Sequence, residues 1–202
     1  MNINHYLEFM SKLIISTLDK CDLKLTYYIN LLKLMENEVA LMCENLRIKH
    51  YVDLLRSLKI LIEASIQLLY YFSKYGVNEE GVSREVKRRE KSATTFNIKM
   101  IGKIRDLHLS IKKEIIKTYL DISKFTHPTK NLLLIHERKH IDENELRTLL
   151  HRVTDIVAYC ILRVCRVSIV SNELLRAINE LGLERSLKYI GRKGSEPGPP
   201  HH

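Results

Sequence analysis

The chain has 202 residues, 45% of them apolar, enough for one domain with its own core or two small ones. Its formal charge of +9 and pI near 9.3 suit an anionic partner. No apolar run reaches the ~18 residues of a membrane span, and Glu8, Lys12 and Asp19 interrupt the N-terminal run, so neither a transmembrane helix nor a secretory signal is expected.

Apolar residues recur at helical spacing along the chain, and no stretch alternates with the period of two that marks a half-buried strand. Ile3, Tyr6, Leu7, Met10, Leu13, Ile14 and Leu18 form the first stripe, with Asn2 or Asn4 as its cap. A break at Lys20–Asp22 precedes a second stripe from Leu25 to Leu46. The third, over Lys49–Tyr75, is apolar on most sides from Leu58 to Phe72, which predicts a central helix ended by Gly76. Residues 76–95 read as an exposed charged connector, with a short helix from Ser83. A fourth long helix is predicted over Phe96–Phe125 and stopped by Pro128. A fifth follows the Asp142/Glu145 capping box and runs towards Gly182, and a short helix to Ile190 closes the fold. Residues 191–202 hold three of the four prolines and read as a disordered tail ending in a cloning remnant. The expected architecture is all-α: a single antiparallel bundle of about five long helices plus short ones, over residues 1–190.

Four cysteines, at 21, 43, 160 and 165, form no C-x-x-C pair and read as buried thiols in a reducing cytoplasm. Gln67 is the only glutamine, amid abundant Ile, Leu, Lys and Glu, a bias that is seen in thermophile proteins and that genome base composition also produces. Residues 84–117 carry eleven Lys/Arg against four Asp/Glu, so +7 of the charge lies there, as a phosphate-binding stripe or a solvated helix face. The segment from His136 to His140 spells H-E-x-x-H, the zinc-protease signature. Its middle positions are Arg138 and Lys139, cations that a helix against a metal would have to bury. The Asp142 cap also places it before a helix start, so it reads as a loop, and no metal or cofactor is expected.

Two polar sets stand out against this apolar background. Arg56 and Glu63 lie two turns apart, on one face of the greasy third helix, and need partners. Tyr119, Ser123 and His127 follow at i, i+4 and i+8, beside Lys124, with His127 ahead of Pro128 at the helix end. Arg56 pairing with Glu63 across the core, completed by Tyr119, Ser123 and His127, is the purely structural alternative.

The pattern of R-x6-E in an apolar helix with Y-x2-I-S-x3-H-P, between Tyr51 and Val170, resembles a prokaryotic branch of the HEPN superfamily, the higher eukaryote and prokaryote nucleotide-binding helical domains. The resemblance implies a four- or five-helix bundle, often dimeric, and in many members a metal-independent ribonuclease, toxin or defence protein. The chain departs from the R-x(4–6)-H signature of the active families: Arg147 and His151 are one residue short, and Arg105 and His108 shorter still. The expected catalytic pair is therefore Arg56, holding phosphate charge, and His127, taking the 2′-hydroxyl proton, with Glu63, Tyr119, Ser123 and Lys124 as binding residues. The expected partner is RNA or a nucleotide, and the alternative is a non-catalytic scaffold that pairs with a second copy or another helical protein.

Overall fold

The computed structural model describes residues 2–21, 25–91, 96, 98–105, 107–126, 141–165 and 170–194, residues 192–194 by backbone alone. Among them are nine helices and no strand, so the all-α expectation holds. Five helices are long: α1 (Ile3–Lys20), α2 (Thr26–Arg47), α3 (Tyr51–Tyr75), α6 (Leu109–Thr126) and α7 (Glu143–Cys165). Between and after them lie α4 (Glu79–Lys91), α5 (Lys99–Lys103), α8 (Asn172–Glu180) and α9 (Glu184–Gly194).

α3 is the axis of the packing. Fifteen of its 25 residues are buried, and it packs on α2, α7 and α6 as well as on α4 and α5. Leu54, Leu55, Leu58, Leu61 and Ile62 are fully enclosed, which follows from apolar residues on most sides of one helix. Gly76 closes α3 at φ +56, a conformation that side chains other than glycine's rarely adopt. Among the described residues no helix is long and apolar enough to cross a membrane.

Four boundaries differ from the sequence reading. The supposed connector contains α4, because Asn78 accepts the Gly81 amide at 2.9 Å as a cap, and acidic residues open the helix while basic ones close it. The predicted Phe96–Phe125 helix is two: the chain turns extended at Ile104, and His108 Nδ1 lies 2.7 Å from Ser110 Oγ at the start of α6. α7 ends at Cys165, and α8 starts afresh under a Ser171 cap before Gly182 stops it at φ +64. α9 runs on to Gly194, four residues into the expected tail, since the first proline after it is Pro197.

The cysteine expectation is corrected. Cys21 and Cys165, at the ends of α1 and α7, form a disulfide with Cα atoms 5.5 Å apart, across 144 residues of chain that no local pattern connects. Cys43 is exposed, and only Cys160 is the buried thiol expected, pushed up to about 12 by its burial.

α4 is fastened to α3 by charge. Glu85 accepts from Arg88 at 2.8 Å and from Arg89 at 3.0 Å, while Arg89 reaches the Tyr70 hydroxyl at 3.4 Å. The Arg88 hydrogen bonds, with Lys74 and Arg89 nearby, hold the Glu85 carboxyl at about 2, well below its ordinary 4.5. A carboxyl depressed on folding stabilises the native state fully above its unfolded value and loses that contribution as pH falls through the folded one. Denaturant unfolding of the wild type and Glu85→Gln should therefore differ at pH above 4.5 and converge by about 2. An unchanged gap across that window would show that Glu85 is not the fastening group.

Candidate functional site

Part of the polar set picked out in the sequence comes together. Tyr119 on α6 donates to Glu63 on α3 at 2.9 Å. The Lys59 ammonium sits 5.5 Å from the centre of the Tyr119 ring, and Phe96 packs on the ring at 5.3 Å. Burial, helped by the Glu63 charge, pushes Tyr119 up to about 12, and burial raises Glu63. Ser123 is buried one turn further along, while Lys124 is exposed and pairs with Asp121 at 3.0 Å. His127 and the H-E-x-x-H segment lie outside the described residues.

Arg56 does not pair with Glu63 across the core. Its side chain is 56% exposed and its Nη1 bonds Asp53 at 2.6 Å. Seven residues do place the two on one face, but that face is the wet edge of α3, and a carboxylate three residues back is within easier reach.

The concave site with converging chemistry lies elsewhere, between α6, α7 and α9. Its volume is about 620 Å³, and its lining includes His108, Glu114, His151, Arg163, Arg185 and Lys188. Asp155 of α7 lies at its floor, 1% exposed. Asp155 Oδ2 accepts the Arg185 amide at 3.1 Å and Arg185 Nη1 at 2.6 Å. Asp155 Oδ1 accepts the Ser186 amide at 3.2 Å and the Ser186 hydroxyl at 2.9 Å. These amides belong to the first turn of α9, so a side chain from another helix satisfies donors that a helix start leaves open.

Arg185 turns its other edge to α6. Its Nε donates to Glu114 Oε2 at 3.0 Å, and its Nη2 pairs with Glu114 Oε1. One guanidinium thus ties three helices together. Burial raises Asp155 and lowers Arg185, but arginine keeps its proton in proteins and four donors surround the carboxylate, so the pair is ionised.

The cleft walls add donors and rings. His151 is half-buried and meets Tyr6 edge-on at 5.9 Å. Arg163 bonds the Tyr159 hydroxyl at 3.1 Å, and Tyr159 meets Tyr189 at 5.9 Å. The Arg147–His151 pair, one residue short of the nuclease signature, therefore delivers His151 to the cleft. The basic stripe divides. In α4, Arg84 pairs with Glu80, and Arg88 and Arg89 pair with Glu85. In α6, Lys113 and Lys117 are exposed within a turn of Glu114, which lines the cleft.

Sequence reasoning passed over Arg185 and Glu114 and gave Asp155 no role beyond a chance metal ligand. The signal was available for Asp155, a lone carboxylate in the apolar run "VTDIVAYCIL". Nothing local marks its partner 30 residues away. Among the described residues no group of three His, Cys, Asp or Glu is placed to hold a metal ion. No protein-family model, curated protein or solved structure matches the chain.

Removing Asp155 would strand Arg185 and open the α9 amides, and breaking a buried pair from one side costs about 3–5 kcal/mol. Asp155→Ala should lower unfolding free energy by that order, whereas Arg56→Ala, at an exposed pair, should change it by less than ~1 kcal/mol. Equal effects in urea unfolding would contradict this ranking.

Proposed function

We propose that this chain is a HEPN-like helical protein that binds RNA or a nucleotide in the cleft between α6, α7 and α9, as a toxin or defence component. The supporting observation is the convergence of His108, His151, Arg163, Arg185 and Lys188 on one cleft, with Lys113 and Lys117 exposed on α6 within a turn of its lining residue Glu114. Exposed lysines on the same helix suit a phosphate backbone, and Tyr189 and the Arg163 guanidinium offer faces to a base. In a cleaving version, a histidine takes the 2′-hydroxyl proton and an arginine holds the phosphate charge, with no metal required. Arg56 and His127 are the pair nominated by the sequence, and His151 with Arg185 is the pair that the cleft adds. A cytoplasmic place is compatible with the Cys21–Cys165 disulfide, because hyperthermophiles keep disulfides in intracellular proteins and the composition leans that way.

The competing reading, a non-catalytic scaffold, draws on a different observation. Leu34 and Leu41 of α2 and its C-cap Ile48 are 39%, 52% and 57% exposed at seven-residue spacing, the pattern of a helix-pairing seam.

Anisotropy of a labelled single-stranded RNA with increasing salt tests the two readings together. Each phosphate that the protein no longer neutralises should reduce the slope of log affinity against log salt by ~0.7. The double variant Lys113→Glu/Lys117→Glu should therefore bind more weakly and with a shallower slope, while Leu41→Lys should leave RNA binding intact. No binding by the wild type at low salt, with a mass by light scattering that Leu41→Lys halves, would favour the scaffold.

A further inference from the structure

The two carboxylates on Arg185 are not equivalent. Asp155 is sealed, its side chain 2% exposed and both oxygens fully used by Arg185 and Ser186. Glu114 stands at the rim, its side chain 43% exposed, and among the described residues Arg185 is its only polar partner. Glu114 takes Nε and Nη2 together, the side-on fork with which a guanidinium grips a carboxylate or a phosphate. His108, His151 and Lys188 line the same cleft. The arrangement is a strong anion-binding edge, fixed from behind by a carboxylate that cannot leave and covered in front by one that can.

We infer that Glu114 holds the place of a phosphomonoester dianion, which displaces it from the Arg185 fork when the ligand enters the cleft. The inference rests on the nucleotide-binding reading and names its ligand class: a terminal phosphate, on a free nucleoside monophosphate or on an RNA end. Charge decides between phosphate types. An internal phosphodiester carries one negative charge, so it exchanges like for like with Glu114 and gains little. A monoester carries about −1.5 to −2 at neutral pH and three acceptor oxygens. Arg185 takes two of those oxygens, and the two histidines and Lys188 are donors within the cleft for the remainder. Glu114 swings to water, where its half-exposed side chain is already part-solvated.

Calorimetric titration of the full chain with adenosine 5′-monophosphate, and with adenosine as control, tests this. The monophosphate should bind at least about tenfold more tightly than adenosine, since the charge-assisted fork is the main contact. Glu114→Gln removes the competing charge without touching the buried pair and should tighten monophosphate binding by about tenfold. Arg185→Lys should weaken it by a similar factor through loss of the two-point grip. Where Arg185→Lys fails to fold, the rim variant decides alone. Unchanged or weaker binding by Glu114→Gln, or no response to the monophosphate in either protein, overturns the inference. A parallel arm compares RNA with a 5′-phosphate and with a 5′-hydroxyl. Preference for the phosphorylated end identifies RNA termini as the source, and monophosphate binding with no such preference identifies free nucleotides. RNA bound equally with either end, by protein that ignores the monophosphate, sinks the dianion while the RNA-binding reading stands.

Discussion

A carboxylate buried in the middle of a helix must be surrounded by donors, and Asp155 sets that condition for this molecule. Apolar residues flank it in α7, and its side chain is all but closed to solvent. An ion in that position is tolerable only when every lone pair is used. The chain meets the condition with the first turn of α9: two backbone amides, a serine hydroxyl and a guanidinium. The docking of α9 is therefore a consequence of the charge in α7. The cleft exists because α9 is held there, standing across from α6 with Arg185 as the tie.

This constraint also explains why the positive charge of the chain is not evenly available to a ligand. The α4 arginines are spent on that helix's own glutamates and on its attachment to Tyr70. The α6 lysines at 113 and 117 are left towards solvent, next to the site where histidines, arginines and tyrosines converge. A basic stretch that looks continuous in the sequence thus divides into a structural half and an exposed half on the helix that forms one wall of the cleft. The exposed Leu34 and Leu41 of α2, with Ile48 at its C-cap, form a separate surface that bears on partners rather than on the cleft.

The sequence carried the helical class, the five long helices and the central place of α3, because these follow from the period and breadth of apolar stripes. Shorter features were harder. α4 is polar over most of its length, and its helicity comes from capping and ion pairs rather than an apolar stripe. The Phe96–Phe125 stripe kept its period through the break at Ile104, so periodicity alone ran two helices together. The Glu63–Tyr119 contact was legible because each side chain is conspicuous in its own helix, but Arg56 was misjudged because its apolar neighbours in sequence lie on the other sides of α3. The Cys21–Cys165 bond and the Asp155–Arg185 pair were not legible, since each joins residues far apart in the chain and neither end predicts the other.

Hydrogen exchange resolved to the amides of α9 would test most directly whether the buried carboxylate seats that helix. Asp155→Asn keeps the size of the side chain and removes its charge. The Arg185 and Ser186 amides, and the turn that follows, should then lose protection while α3 and α7 keep theirs. Undiminished protection of α9 in that variant would mean that apolar packing alone holds the helix, and the cleft would lose its physical basis.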